Sequence, residues 1–193
     1  GSIEINGVDI RKYDLESLRA QIGYVAQKAH MFKGSIRSNI CFGKPEASVE
    51  EMHHAASVAQ ASDFISKREN GYLDEIAEDG TNISGGQKQR LSIARVILKK
   101  PSLYIYDDSF SALDFKTDAT LRKALKPEVK NAIFFVVAQR ISTIMDSDMI
   151  IVLDEGQIIG LGTHLELLKN CSVYQEIAHS QLTQKELDDY ERN

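Results

Sequence analysis

The chain has 193 residues, of which 42% are hydrophobic and 26% are charged, a composition typical of one globular domain and not of a disordered or fibrous protein. Its formal net charge is -5, so we do not expect the broad basic surface with which a protein binds nucleic acid. The longest apolar run, 132–138, is far shorter than the roughly 20 residues of a membrane-spanning helix. We therefore expect a soluble chain. Two distant cysteines, Cys41 and Cys171, predict neither a disulfide framework nor a zinc site and indicate the reducing cytosol.

The start of the chain predicts a hairpin, a short helix and a strand. The opening residues alternate apolar and polar side chains around Asn6-Gly7, the strongest short signal for a β-hairpin. Asp14 can cap a short helix. The apolar run 22–26 then predicts a buried strand, and Gln27 stands where that strand ends.

The segment from about 34 to 98 carries helical patterns and no strong strand pattern. Ser48 and Glu51 form a capping box for one helix, and 63–68 predicts a second, shorter helix. Ser84 caps a third helix, which ends in a basic last turn before a proline. The whole segment is therefore predicted to be a helical insertion.

Strands return after this insertion. Residues 103–107 predict a strand and 116–125 a helix. The near-continuous apolar runs 132–137 and 149–153 are typical of strands covered on both faces in a parallel sheet. Because strands and helices alternate, the predicted class is α/β with a mostly parallel sheet.

The last part of the chain predicts one more turn and one more helix. Residues 154–157 make a tight turn into the apolar stretch 158–161, and Thr163 with Glu166 forms a capping box. Residues 181–193 are predicted to form a polar tail.

The most informative stretch opens the third helix of the insertion. It reads Asn82-Ile-Ser84-Gly85-Gly86-Gln87, so a serine and two glycines stand at the helix start. A helix start offers unpaired backbone N–H groups and a partial positive charge, and glycines let a phosphate approach the main chain. Taken alone, the same residues are also compatible with an ordinary N-cap.

A second stretch ends the strand 103–107 in two acids, Asp107 and Asp108. Carboxylates at the carboxyl end of a central strand lie at the edge where open α/β sheets bind ligands, and they can hold Mg²⁺ directly or through water. The alternative is that the two acids cap the following loop.

Together these stretches resemble the ABC-type ATPase family, from the first residues to about Cys171. Asn82–Gln87 resembles the signature motif of that family, with Ile83 where leucine is usual, and 103–107 resembles its Walker B strand. Three further stretches resemble the Q-loop, the D-loop and the switch loop, respectively: Gln27, Ser111–Asp114 and Ala138–Thr143.

The resemblance implies a P-loop NTPase core over 1–180, with a mostly parallel sheet and an inserted α-helical subdomain at about 34–98. It implies ATP and Mg²⁺ as cofactors. It also implies roles for individual residues: Asp107 and Gln27 toward Mg²⁺, Asp108 and Gln139 in catalysis, Asp114 in the D-loop, and Ser84, Gly85, Gly86 and Gln87 toward a nucleotide held by a partner.

The chain departs from the family in lacking a Walker A loop, GxxxxGK followed by Ser or Thr. In the family this loop lies shortly before the hairpin at Asn6-Gly7. We therefore expect the chain to lack the N-terminal strand and the loop, and the isolated fragment to be inactive, because backbone cradle and lysine are both missing.

Two catalytic positions also differ. Asp108 stands where active family members carry glutamate, and one methylene fewer draws the carboxylate back by about 1 Å, a misplacement that can cost on the order of a hundredfold in rate. Gln139 stands where the family has histidine, and an amide cannot carry the positive charge of an imidazole. A good signature beside a weak catalytic site resembles the degenerate half of a heterodimeric exporter.

The segment from Gln27 to Gly43 resembles the part of ABC exporters that contacts the cytoplasmic helices of the membrane domains. The resemblance thus implies an energy-coupling domain at the cytoplasmic face of the membrane, with two partners: a second, non-identical ATP-binding domain and the transmembrane domains of an exporter. The alternative is a non-catalytic regulatory module derived from such an ATPase. An ABC-type DNA repair or translation ATPase is disfavoured by the acidic charge balance.

Overall fold

A computed structural model describes residues 1–183, which fall into two compact units, Gly1–Val137 and a second unit that begins at Ala138. The predicted polar tail 181–193 lies outside the described residues from 184 onward, and its first residue, Gln181, ends the last helix. Within residues 1–183, no helix is both long and apolar enough to cross a membrane.

The first unit contains, in chain order, β1 (Glu4–Ile5), β2 (Val8–Asp9), α1 (Leu15–Gln21), β3 (Ile22–Val25), β4 (Gly34–Ser35), α2 (Ile36–Ile40), α3 (Val49–Val58), α4 (Ser62–Ile65), β5 (Glu75–Ile76), α5 (Gly85–Lys99), β6 (Leu103–Asp107), α6 (Phe115–Glu128) and β7 (Ile133–Val137). Short 3-10 turns join some of these elements: Ile10–Lys12, Cys41–Gly43, Gly71–Leu73 and Glu78–Gly80. The second unit contains α7 (Ile141–Ile144), β8 (Ile150–Asp154), β9 (Gln157–Gly162), α8 (His164–Asn170) and α9 (Ser172–Gln181).

The predicted local signals at the start of the chain are confirmed. β1 and β2 pair antiparallel around Asn6 and Gly7, whose φ angles of 52° and 75° are those of the turn that the Asn-Gly pair favours. Asp14 caps α1, because its carboxylate accepts a hydrogen bond from the Ser17 amide at 3.0 Å. Helix starts and tight turns depend on neighbours in sequence, so they can be predicted from sequence.

The central feature of the first unit is a parallel sheet in the order β3-β6-β7. α5 packs on one face of this sheet, and a Cβ added at Gly23 would lie 2.5 Å from Val96 of α5. On that face Val25 and Tyr106 are fully buried. The arrangement confirms the α/β class and places the carboxyl ends of β3 and β6 side by side.

The other face of this sheet corrects one prediction. On β3 and β7, several side chains lie on the face opposite to α5 and are exposed. They include Tyr24, Ile133 and Phe135. The run 132–137 was predicted to be covered on both faces, and this is wrong for β7 in this structure. An apolar run reports which side chains favour burial, whereas the packing of other elements decides which of them are covered.

Between β3 and β6 the chain is mainly helical. α3 packs on α5, and the capping box of Ser48 and Glu51 is present as predicted. Two strands were missed: β4 and β5 form an antiparallel pair between Gly34–Ser35 and Glu75–Ile76, with two residues in each strand. Such a short pairing leaves no periodic pattern in the sequence.

The second unit corrects the prediction for 149–153. β8 pairs antiparallel with β9 in a two-stranded sheet, so it is not a strand of a parallel sheet with both faces covered. The turn at 154–157 and the capping box of Thr163 and Glu166 are confirmed. α9 was not predicted, although it buries Tyr174 and Ala178 in the core of this unit.

Candidate functional site

Two sequence-predicted residues meet at the carboxyl ends of β3 and β6. Because these strands are parallel neighbours, Gln27 and Asp108 follow them at the same edge of the sheet. The Gln27 Nε2 donates a hydrogen bond to the Asp108 Oδ2 at 3.2 Å, across 81 residues of sequence. The structure therefore brings an amide and a carboxylate together where open α/β sheets bind ligands.

The backbone at Asp108 is held in an unusual conformation. Its φ is 44°, in the left-handed region that few residues other than glycine adopt. The Asp108 amide donates to the Val137 carbonyl at 2.9 Å, and its carbonyl accepts from the Ser111 hydroxyl at 2.7 Å. A conformation of this kind costs free energy and persists because these contacts hold it, so the backbone that carries the Asp108 side chain is held in place.

Asp107 has a partner that sequence reasoning missed. The Tyr24 hydroxyl donates to the Asp107 Oδ2 at 2.9 Å, and this hydrogen bond raises the pKa of Tyr24. Tyr24 remains 54% exposed. The signal that could have found it is the alternation along β3, which places Tyr24 on the sheet face opposite to Gly23 and Val25.

The start of α5 is the second part of the candidate site. The Ser84 Oγ accepts from the Gln87 amide at 3.2 Å, and the Gln87 Oε1 accepts from the Ser84 amide at 3.1 Å. Gln87, predicted to bind nucleotide, therefore uses both its side chain and its amide in the cap. Of the four residues predicted here, Gly85 and Gly86 leave their amides outside this capping box.

The two glycines at the start of α5 have different surroundings. A Cβ added at Gly85 would meet no atom within 4 Å, whereas one at Gly86 would lie 3.2 Å from the Ala112 carbonyl. Gly85 is therefore open to a ligand. Gly86 allows the loop after β6 to pack against the helix start, so the loop that resembles the D-loop lies beside the start of α5.

The end of β3 and the helix α5 are also tied together. Gln89, which is 2% exposed, donates through its Nε2 to the Ala26 carbonyl at 3.0 Å. This buried contact fixes α5 beside the residue that precedes Gln27. It was not predicted, because a glutamine inside an amphipathic helix gives no sequence signal of its partner.

Asp114 and Gln139 have structural contacts in the described residues. Asp114 caps α6 by accepting from the Thr117 amide at 2.9 Å, which lowers the pKa of Asp114. Gln139 lies in the second unit, between its first residue and α7, and its carbonyl accepts from the Gln181 Nε2 at 2.9 Å. Within residues 1–183 there is no cluster of three or more His, Cys, Asp or Glu side chains that could hold a metal ion.

Comparison with known proteins identifies the family. The family model described as ABC transporter matches residues 1–111, which is more than half of the chain. The chain belongs to the ABC transporter family. The ATP-binding domain of this family is consistent with the parallel sheet, the strand-end acids and the glycine-opened helix.

Individual relatives place this ABC domain among exporter-type proteins. The ATP-binding/permease protein YgaD of Bacillus subtilis is 45% identical over 177 residues, which cover 92% of this chain and 30% of YgaD. Heavy metal tolerance factor 1 of Caenorhabditis elegans is 42% identical over 185 residues, which cover 96% of this chain and 23% of that protein. Each relative is therefore much longer than this ABC domain.

A solved structure also matches the fold of this ABC domain. It is that of a bacterial Atm1-family ABC exporter with ATP bound, with a TM-score of 0.91 and 38% sequence identity. The match covers 95% of this chain and 32% of that chain. The predicted P-loop NTPase fold of ABC type is thereby confirmed.

Proposed function

We propose that the chain is the ATP-binding and ATP-hydrolysing energy-coupling domain of an ABC exporter. The observation that carries this proposal is the meeting of Gln27 and Asp108 at the carboxyl ends of neighbouring parallel strands. Ligands bind open α/β sheets at this edge. The similarity to an exporter structure with ATP bound supports ATP as the ligand.

The donor set at this edge fits Mg²⁺ together with a nucleotide. The carboxylates of Asp107 and Asp108 and the amide oxygen of Gln27 are hard oxygen ligands, which Mg²⁺ prefers, and it commonly binds through one or two carboxylates plus phosphates. Bound Mg²⁺ would neutralise charge on the phosphates during transfer. In this chain Asp107 and Gln27 would hold the ion, and Tyr24 would orient Asp107 through its hydrogen bond.

The start of α5 would serve a nucleotide held by a partner domain. Ser84, Gly85 and Gly86 begin a helix of 15 residues that carries no acid in its first turn. Its partial positive charge is therefore available to an external anion such as a γ-phosphate. Gln87 would act by holding the serine in place through the capping box.

The nucleotide site of the chain itself would be weak. Asp108 is one methylene shorter than the glutamate of active relatives, and Gln139 cannot be protonated as histidine can. Position 108 would therefore hold a poorly placed general base, and position 139 would supply no positive charge. A chain with a competent signature and a weak catalytic site fits one half of a heterodimer with a non-identical partner, in which Asp114 belongs to the D-loop at the interface.

We also assign the organisation of the longer protein. Residues 1–180 would form part of an ATP-binding domain, with an α-helical subdomain over about 34–98. Because the chain covers 30% of YgaD and 32% of the exporter chain, transport would belong to a longer protein whose transmembrane domains this domain drives from the cytoplasmic face of the membrane. We propose no role in nucleic-acid binding.

The test is ATP turnover by the assembled transporter with single substitutions in this chain. Ser84→Ala should lower turnover by at least about a hundredfold, since removing one preorganised donor to a developing charge has effects of this size. Asp108→Asn should leave turnover within about twofold, because the site it serves contributes little. Equal loss from both substitutions would rule out the degenerate-site assignment.

A matched control separates catalysis from helix stability. Ser84→Ala also removes an N-cap, which costs about 1 kcal/mol of stability. Ser48→Ala removes the equivalent cap of α3 and should leave turnover unchanged. If Ser84→Ala is tolerated as well as Ser48→Ala, the chain is a non-catalytic regulatory module.

A further inference from the structure

The backbone around position 139 is held by the last residue of α9, Gln181. The Gln181 Oε1 accepts a hydrogen bond from the Ile141 amide at 2.9 Å, across 40 residues of sequence. The Gln181 Nε2 donates to the Gln139 carbonyl at 2.9 Å. The two ends of one side-chain amide therefore bind the main chain on either side of Arg140.

The hydrogen bond to Ile141 acts as a helix cap. Ile141 is the first residue of α7, and the first amides of a helix have no acceptor within it. Arg140, the residue before α7, carries only donors in its side chain, so it cannot accept from these amides. Because Ile141 is only 3% exposed, an amide left without an acceptor here would be costly. Gln181 supplies this acceptor from a distant part of the chain.

The helix that carries this cap is itself fixed within the second unit. The Tyr174 hydroxyl and the His164 Nδ1 form a hydrogen bond of 2.7 Å, which joins α9 to α8. Tyr174 is 1% exposed. One turn away, the Gln175 Nε2 donates to the Leu168 carbonyl of α8. α9 is therefore a fixed support for its last residue.

This support reaches a residue with a proposed role. The side-chain amide of Gln139 can donate to a phosphate oxygen. Such a hydrogen bond forms most of the time only if the backbone that carries the amide keeps its position. Without the two hydrogen bonds from Gln181, the main chain at 139–141 would be less restrained and would open more often.

We propose that Gln181 is a positioning residue for Gln139: it holds the backbone of 139–141, so that the Gln139 amide binds the terminal phosphate and this chain's own site retains ATP. The inference rests on the function proposed above, in which Gln139 serves that weak site. It goes beyond that function, because it assigns nucleotide retention to the end of α9, which has no part in the proposed catalysis.

The first experiment measures the contact itself, by hydrogen exchange of the Ile141 amide in the chain, followed by NMR. Gln181→Ala removes the acceptor, so exchange should be roughly fivefold faster than in the wild type. Gln175→Ala is the matched control, because it removes a side-chain amide of the same helix that binds α8 instead. It should leave Ile141 exchange unchanged. Wild-type exchange of Ile141 in Gln181→Ala would overturn the proposal.

The second experiment measures ATP retention in the full transporter. Azido-ATP is bound, chased with unlabelled ATP and then photolysed, and the label that remains on this subunit is counted. Gln181→Ala should release the nucleotide roughly tenfold faster, because the amide then bonds the phosphate only part of the time. Gln175→Ala should release it at the wild-type rate.

A double variant tests whether Gln181 acts through Gln139. Gln139→Ala should release azido-ATP about as fast as Gln181→Ala does. Combining the two substitutions should add nothing further, because the second removes support for an amide that is already absent. A residue that merely stabilises the second unit would instead add its own effect.

Gln181→Glu takes the place of Gln181→Ala if that variant does not fold. Its carboxylate still accepts from the Ile141 amide, but it cannot donate to the Gln139 carbonyl. Ile141 exchange should then stay slow while azido-ATP is released faster than in the wild type. A wild-type release rate in that case would overturn the positioning role.

The outcomes distinguish this inference from the proposed function. If Gln139→Ala shortens retention and Gln181→Ala does not, the proposed function stands and the positioning role is wrong. A double variant that releases azido-ATP faster than either single variant also overturns the positioning role. If Gln139→Ala releases it at the wild-type rate, the role proposed for Gln139 fails, and nucleotide retention through Gln181 fails with it.

Discussion

Two helices of the first unit begin with the same capping motif but have different electrostatic surroundings. At α3, Ser48 is paired with Glu51, and Glu50 and Glu51 place two acids in the first turn. At α5, Ser84 is paired with an uncharged Gln87, and the first turn holds no acid. Both boxes satisfy backbone N–H groups in the same way.

The difference lies in what compensates the partial positive charge of the helix start. α3 uses its own carboxylates, and the pKa of Glu51 is lowered first by the Lys44 hydrogen bond and then by the Ser48 amide. α5 lacks such an internal anion, and its first residue, Gly85, leaves the main chain accessible. Two helix starts with the same capping box can therefore differ in role: that of α3 is structural, and that of α5 is open to an external anion.

Among the changes that exchange features between the two helix starts, the largest effect is expected when α5 receives the acid of α3. Gln87→Glu places a carboxylate beside the proposed phosphate position, and its repulsion should lower ATP turnover of the transporter by roughly tenfold or more. The same change should raise the stability of the chain by about 0.3–1 kcal/mol through the helix dipole. Steady-state ATPase assays and urea unfolding measure the two effects.

The control for this substitution is the reverse exchange at α3. Glu51→Gln changes the same atoms at the other box and should leave ATP turnover unchanged. Unaltered turnover in Gln87→Glu would mean that the start of α5 is an ordinary cap, as α3 is.

The next effect separates helix stability from ligand access. Gly85→Ala introduces a methyl group that meets no atom within 4 Å, and it should stabilise the chain by about 0.4–1 kcal/mol by restricting the unfolded state. In the transporter the same methyl stands between the main chain and the phosphate, so turnover should fall. A variant that is both more stable and fully active would contradict an open anion site at Gly85.

The smallest effect is the pH dependence of the α3 start. The folded-state pKa of Glu51 is below its ordinary value of 4.5, so its contribution is present above that value and is lost as the pH falls through the folded pKa. The melting temperature of the wild type should therefore exceed that of Glu51→Gln near neutral pH, and the two should converge in acid. Gln87 does not titrate, so Gln87→Asn should show a pH-independent difference from the wild type.

The sequence predicted which residues belong to the candidate site, but it did not predict the contacts between them. Ser84, Gly85 and Gly86 are recognisable because a capping box spans three residues of sequence, and Asp107 and Asp108 because they end an apolar run. Tyr24 was missed, since its bond to Asp107 spans 83 residues. The Gln87 side chain completes the cap of α5, and its role toward a nucleotide stays a prediction.

The sequence by itself determined the capped helix starts at Asp14, Ser48, Ser84 and Thr163 and the Asn6-Gly7 hairpin, because those depend on backbone groups a few residues apart. It also located β3, β6, β7 and β8 as apolar runs, but not the two-residue strands β4 and β5. Tertiary structure alone decided that β8 pairs antiparallel with β9, that one face of β7 is exposed, and that Gln27 reaches Asp108. Strand partners, sheet coverage and long-range hydrogen bonds depend on how distant segments pack. An apolar run in the sequence does not indicate which element will pack against it.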